Sequence, residues 1–242
     1  MFLVADSGGA TAVTRGVNGL IPARADDLSQ NTATLAEWHD LVRKTGFNVF
    51  ASQGNQREIM QHTSMGVINR KIDQDIITQL NTGTVNTGSA VAGTVALFQK
   101  ARVMLSNAAV PWDGNVTLLA TPAFIGYLEQ APEFSKATYV DVKPFAGEDS
   151  DFRDRIQAYR WRNCLIVEHP LLPGIGTNAA KCFLFHKHAI GHAVDTKGIE
   201  SPVGYMEEQD YSWARCTVYM GSKLLQNSGV IVINHDDTGL SS

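Results

Sequence analysis

Ile68, Ile72, Ile76 and Leu80 fall at every fourth residue, and Met65 starts the same stripe. That period predicts one apolar face of an α-helix over 56–81. Arg70, Lys71, Asp73 and Asp75 lie off the stripe, and no proline interrupts it. Asn55 is placed to cap the N-terminus, Glu58 completes a capping box, and Gly83 supplies the stop. At ~1.5 Å per residue the helix is about 40 Å long, a strut more than an ordinary domain helix.

Before this helix the pattern is different. From 7 to 55 no helical stripe lasts, and small or polar residues dominate, as in Ser7-Gly8-Gly9-Ala10-Thr11 and Asp26-Asp27-Leu28-Ser29-Gln30-Asn31-Thr32. Strand-like runs at 12–17, 35–42 and Phe47-Asn48-Val49-Phe50 predict an extended β-arm, either a partly exposed hairpin or a segment ordered by a partner.

After the low-complexity loop 82–89, Val91, Val95, Phe98, Arg102 and Leu105 mark a second helix ending near Asn107. Asn115-Val116-Thr117-Leu118-Leu119-Ala120 reads as a buried strand. Thr121-Pro122 then opens a short helix over 123–130, as N-cap and first-turn proline. Gly147-Glu148-Asp149-Ser150-Asp151 predicts an acidic exposed loop. Further strands are expected over 157–168, at Cys182-Phe183-Leu184-Phe185-His186, over 213–220 and over 230–234. There is no internal repeat, and the fold class is α+β.

The 242 residues allow one large domain or two small ones, with 44% apolar and 18% charged residues, a globular and not a disordered composition. A net charge of −4 argues against a protein whose main affinity is for phosphate backbones or for an anionic membrane surface. No run approaches the ~20 apolar residues that span a bilayer. Phe2-Leu3-Val4-Ala5 lacks a positive flank and meets Asp6 too early for a signal peptide. Cys164, Cys182 and Cys216 are odd in number and widely spaced, which fits small core residues in a reducing cytoplasm better than a disulfide or metal framework.

The chemical motifs are weak. Gly174-Ile175-Gly176-Thr177-Asn178-Ala179 has dinucleotide-site spacing, with Asp195 beyond it, but prolines precede it and a strand follows, so a plain loop is expected. His186, His188 and His192 form the densest cluster, spaced for a metal only if a strand end and a helix start converge. Glu129 and Glu133 could share a helix face as a carboxylate pair. Tyr159-Arg160-Trp161-Arg162 mixes aromatic and basic groups as single-strand binders do, although strand alternation with aromatics inward is simpler. His235-Asp236-Asp237 reads as a solvated tail. No P-loop and no nucleophile elbow occurs, and no catalytic, cofactor or metal residue is assigned.

The order of parts resembles the major capsid proteins of tailed bacteriophages, with the Hong-Kong-ninety-seven-type fold. The resemblance rests on the helix around Met65-Gly66-Val67-Ile68-Asn69-Arg70-Lys71-Ile72 and the Thr-Gly-rich loop after it. It continues with the strand-then-helix step ending in Thr121-Pro122, and with Arg162-Asn163-Cys164-Leu165-Ile166-Val167 before Pro170. The remaining matches are Cys182 to Gly191 and the closing strands from Tyr219 to Ile233.

The resemblance implies a short N-terminal segment (1–10), an E-loop β-arm lying across a neighbour (11–54), and a spine helix (55–82). An axial domain (83–191) and a return to the peripheral domain (192–242) would follow. It implies a structural protein of the virion capsid, assembled in the host bacterial cytoplasm from pentamers and hexamers around packaged double-stranded DNA. That DNA would be held without sequence-specific contact, and no membrane would be involved. Scaffold, portal and cement proteins are the expected partners, the scaffold separate because no coiled coil precedes the shell region. Relatives usually carry an arm before the E-loop, whereas here the arm begins almost at Met1. Lys44 lies in the arm, but no cross-linking partner is named. Two rivals remain: an encapsulin-like nanocompartment shell, with the same fold and no DNA, and a metal-dependent enzyme using His186, His188 and His192.

Overall fold

In the computed structural model the described residues are 1–5, 11–15, 19, 21, 28–52, 54–135, 140–141 and 158–241. One helix, α2 (Gln56–Leu80), runs through both hydrophobic clusters. Asn55 caps it as expected, its side chain accepting from the Glu58 N–H. The buried stripe begins at Gln56, Met60 and Ser64 and continues through Ile68 to Ile77 and Leu80. Met65, which the sequence placed on that stripe, is on the open side. The stop at Gly83 holds, with the Gly83 N–H donating to Leu80 O at 3.0 Å.

Ile68 packs with Cys216, Val218 and Met220 of the long strand β12 (Tyr211–Leu224), flanked by Trp38, Ile72 and Ile199. β12 is the axis of a four-stranded sheet. Along one edge it pairs antiparallel with β3 (Ala36–Thr45), from Tyr211↔Thr45 to Met220↔Ala36. Along the other it pairs with β11 (Val203–Met206) and then β10 (Ile190–Val194). Gly221 is required within this strand, because a Cβ there would lie 2.4 Å from Thr34 O.

The run Phe47-Asn48-Val49-Phe50, expected as strand, is helical: α1 spans Gly46–Ala51. β12 starts at Tyr211, opposite Thr45, so a strand continued past Thr45 has no ladder partner there. A helix satisfies the backbone internally, and Thr45 caps it by accepting from the Asn48 N–H.

The second sheet has the order β4 (Val91–Ala92), β13 (Val230–Asp236), β9 (Ala180–His186), β5 (Val116–Ala120), β8 (Cys164–Glu168), β7 (Ala158–Trp161), β6 (Val140–Asp141). The β4–β13 and β5–β8 pairs are parallel and the others antiparallel. α3 (Val95–Asn107) and α4 (Pro122–Gln130) bury Leu97, Phe98, Ala101, Leu105, Phe124, Ile125 and Leu128 in the same cluster as Ile77 and Leu80 of α2. Each fully buried Leu or Phe there stabilises by roughly 1.5–3 kcal/mol.

Two further expectations are corrected. The helix foreseen from Val91 starts at Val95: Thr94 takes the cap from the Leu97 N–H, and Val91–Ala92 join β13 instead. The single strand over 157–168 is a hairpin, because Arg162 and Asn163 both adopt positive φ (50° and 64°) and turn β7 into β8. Strand 213–220 extends to Tyr211–Leu224, and 230–234 extends to Asp236.

Before β3, β1 (Phe2–Ala5) pairs antiparallel with β2 (Leu28–Asn31). The Phe2 ring sits where a Cβ of Gly191 would be, which docks the foot of this hairpin on β10. The foreseen strand 12–17 shows no regular structure over its described residues 12–15, and the acidic run 147–151 lies outside the described residues. α5 (Pro132–Ser135) and α6 (Thr238–Ser241) complete the chain.

The altered stripe is testable. Leu80→Ala should cost roughly 2–5 kcal/mol, and Met65→Ala no more than about 0.5 kcal/mol, read from urea midpoints of the isolated chain. Equal losses at the two positions would contradict the placement.

Candidate functional site

The histidine cluster is divided between the two sheets. His186 ends β9, almost buried, with Nε2 3.3 Å from Asp113 Oδ1, and its Nδ1 accepts from the His188 N–H at 3.4 Å. The two rings are 5.2 Å apart. A 3-10 turn, Lys187–Ala189, then carries the chain to the other sheet, where His192 on β10 meets Ser222 Oγ at 3.0 Å. His186 therefore has a carboxylate partner and His192 a hydroxyl partner of its own. Among the described residues no group of three or more His, Cys, Asp or Glu is arranged to hold a metal ion. Asp113 is held at about 2, first by hydrogen bonds from Asn115 and then by His186.

A cluster the sequence did not reveal lies at the other end of β9. His235-Asp236-Asp237 was expected as a solvated tail, but β13 runs to Asp236. His235 pairs with Ala180 on one side and Val91 on the other, so His235 and Asp237 are wholly buried. The His235 ring packs edge-on against Phe124 at 5.0 Å. Its Nε2 lies 3.2 Å from Cys182 Sγ and 3.3 Å from Thr121 Oγ1, and its Nδ1 lies 3.0 Å from Asp237 Oδ1, out of line for a good hydrogen bond. Thr121 Oγ1 donates to Asp237 Oδ1 at 3.0 Å, and the Gly176 N–H donates to Oδ2 at 3.1 Å.

Thr121 is also the α4 cap, accepting from the Phe124 N–H, and its own N–H donates to Cys182 Sγ at 3.3 Å. Five segments thus meet at one buried polar knot. With Nδ1 protonated toward Asp237, Nε2 accepts from the Cys182 thiol, one consistent set of roles. Burial pushes the Cys182 thiol up to about 12. It also lowers the His235 pKa, against the opposing pull of Asp237 and Asp236. The pair is a neutral thiol against a neutral imidazole, not a thiolate nucleophile, so despite a Cys-His-Asp composition the arrangement ties strands and loops together. A sequence signal was present: Thr121-Pro122 as a cap, and a histidine at the end of an apolar strand.

The other motifs resolve locally. In the Gly174–Ala179 stretch, Gly174 has φ +73° and a Cβ there would lie 2.2 Å from Ala179 O, so the glycine serves a tight loop leading into β9. The Gly176 N–H already serves Asp237. Glu129 and Glu133 are on separate helices, because α4 ends at Gln130 and Glu133 opens α5. Glu129 Oε1 accepts from the Tyr159 hydroxyl at 2.9 Å, and burial followed by that carboxylate raises Tyr159 to about 12.

Trp161 is buried against Phe98 and Phe134, and Arg160 and Arg162 are exposed, as strand alternation implied. All three cysteines are buried and free. Lys44 donates to Gln56 Oε1 at 2.6 Å. Among the described residues no helix is long and apolar enough to cross a membrane.

A family model described as phage capsid protein matches residues 4–237. No curated protein matches. Among solved structures, a chain from Mycobacterium phage Che8 superposes with TM-score 0.66 at 17% identity, covering 96% of this chain and 83% of that one. The capsid of the native GTA particle gives TM-score 0.67 at 11% identity, with 97% and 84% covered. The holo-SrpI encapsulin complex from Synechococcus elongatus PCC 7942 gives 0.61 at 13%, with 88% and 79% covered. At such identities these likenesses establish the fold.

The buried knot sets a pH response. His235 is held neutral in the fold, whereas the unfolded chain takes up a proton near the ordinary value of 6.5. Stability is therefore complete above about pH 6.5 and falls as the pH drops toward the folded-state value. Urea midpoints should decline from about pH 7.5 to about pH 5. His235→Gln should flatten that decline, and an unchanged slope would contradict the assignment.

Proposed function

The chain belongs to the phage capsid protein family, as a major capsid subunit with the Hong-Kong-ninety-seven-type fold, and we propose that its copies close into the icosahedral head of a tailed phage. The match over residues 4–237 carries this reading, because it takes in the four-stranded and seven-stranded sheets and α2. It is a structural shell protein. In this reading pentamers and hexamers form by head-to-tail contacts that close into rings, and many modest contacts add up to a stable cage.

Residues 11–54 supply the arm that reaches a neighbour, with β3 as its anchored root on β12 and β1 paired at its foot. α2, within 55–82, is the spine helix. The seven-stranded sheet, within 83–191 apart from β13, belongs to the axial domain. The chain from 192 returns to the peripheral domain, and β13 then closes the seven-stranded sheet. Packaged double-stranded DNA lies inside without sequence-specific contact, which suits a mildly negative subunit. Assembly takes place in the host cytoplasm, with scaffold, portal and cement proteins as partners. The encapsulin neighbour supports a second reading, the same shell enclosing protein cargo instead of DNA.

Light scattering and negative-stain microscopy test the proposal. Copies expressed with the phage's scaffold should give rings or closed shells of megadalton mass, and nuclease-sensitive nucleic acid inside them separates head from nanocompartment. A monomer or dimer under every condition would overturn it.

A further inference from the structure

α1 does little for its own chain's core. None of its residues is buried, and Phe47 and Phe50 are 74% and 88% exposed. The helix is nevertheless held firmly. Thr45 caps it, the Gly46 N–H donates to Asp210 O at 3.0 Å, and a Cβ at Gly46 would strike Asp210 Oδ1. Asp210, at φ 45°, ends a 3-10 turn (Glu207–Gln209) and accepts from the Tyr205 hydroxyl. Exposed apolar groups gather at this end of the four-stranded sheet: Phe47 and Phe50, then Tyr205 and Met206. A fixed helix presenting two bare phenylalanines is costly in water unless something covers them.

The surrounding charges indicate what does. Glu207, Glu208 and Asp210 lie on one side, while Arg43 stacks over the Tyr211 ring at 5.1 Å and Arg57 donates to Ser212 Oγ at 3.3 Å. Both signs border one apolar centre, the anatomy of a protein interface. A nucleic acid would call for cations alone. A rim of mixed sign on a subunit whose family builds shells from many copies can meet its own counterpart, the acidic turn of one copy facing the arginines of the next.

We propose that the tip formed by α1 and the 205–210 turn is a contact between copies of this chain, with Phe47 and Phe50 as its apolar centre. The proposal rests on the capsid reading and adds the residues that close one of its contacts. Aromatic anchors at the middle of an interface carry a disproportionate share of its free energy.

The test compares the full chain with the Phe47→Ser/Phe50→Ser variant, assembled under identical conditions and sized by sedimentation and microscopy. The variant should keep the urea midpoint of the unaltered chain, since both side chains are exposed, while its yield of closed shells falls at least about tenfold. Shells in undiminished yield would overturn the contact, including the case where the variant instead loses a scaffold or cement protein. Shells from neither chain would remove the capsid reading and the contact with it.

A Phe50→Cys variant gives a second readout, because the three natural cysteines are buried. Its thiol should react with a maleimide readily in free subunits and at least about tenfold more slowly in shells. Equal rates in the two states would also overturn the contact.

Discussion

The fold depends on one helix having to satisfy two cores. Along α2 the sequence Gln56, Met60, Ser64, Ile68, Ile72, Ile76, Leu80 steps by four, and its members are buried or half-buried. A step of four on a helix of 3.6 residues per turn advances by ~40°, so between Met60 and Leu80 the buried face turns by about 200°. The helix therefore meets β12 on one side and the α3, α4 and seven-stranded cluster on nearly the opposite side. A stripe confined to one face would serve one sheet and leave the other unattached. The relative placement of the sheets follows from the period of this stripe.

Around that strut the molecule separates work within the chain from work between chains. The second sheet is closed, with Thr121, Cys182, His235, Asp237 and the Gly176 N–H joining β5, α4, β9, β13 and the 174–179 loop in a polar knot that excludes water. The bonds from Thr121, Cys182 and the Gly176 N–H to His235 and Asp237 hold β13 in one register. The first sheet ends in α1 and the 205–210 turn, where Phe47, Phe50, Tyr205 and Met206 are exposed. A shell subunit needs both, a rigid interior and outward surfaces that are satisfied only by neighbours.

What the sequence revealed follows the range of the interactions. α2 and its Asn55 cap, α4 behind Thr121-Pro122, β5 and β13 were legible because period and capping act within a few residues. Met65 was misplaced because a step of three back from Ile68 is as helical as a step of four, whereas the buried positions before Ile68 are Ser64 and Met60. α1 reads as strand by composition, and what prevents it is the point where β12 begins, far away in the chain. The β7–β8 turn uses Arg162 and Asn163 at positive φ with no glycine to announce it. His235 and Asp237 looked like a tail because their partners, Thr121 and Cys182, are distant in sequence. The histidines 186, 188 and 192 are close in sequence, yet the fold divides them between sheets.

A density map of the assembled particle tests the central claim most directly. The expected result keeps the α2–β12 frame of the isolated chain in every subunit, with the arm that precedes β3 and α1 each lying against a neighbouring copy. A closed particle in which both segments touch only their own chain, or one in which α2 has left β12, would contradict it.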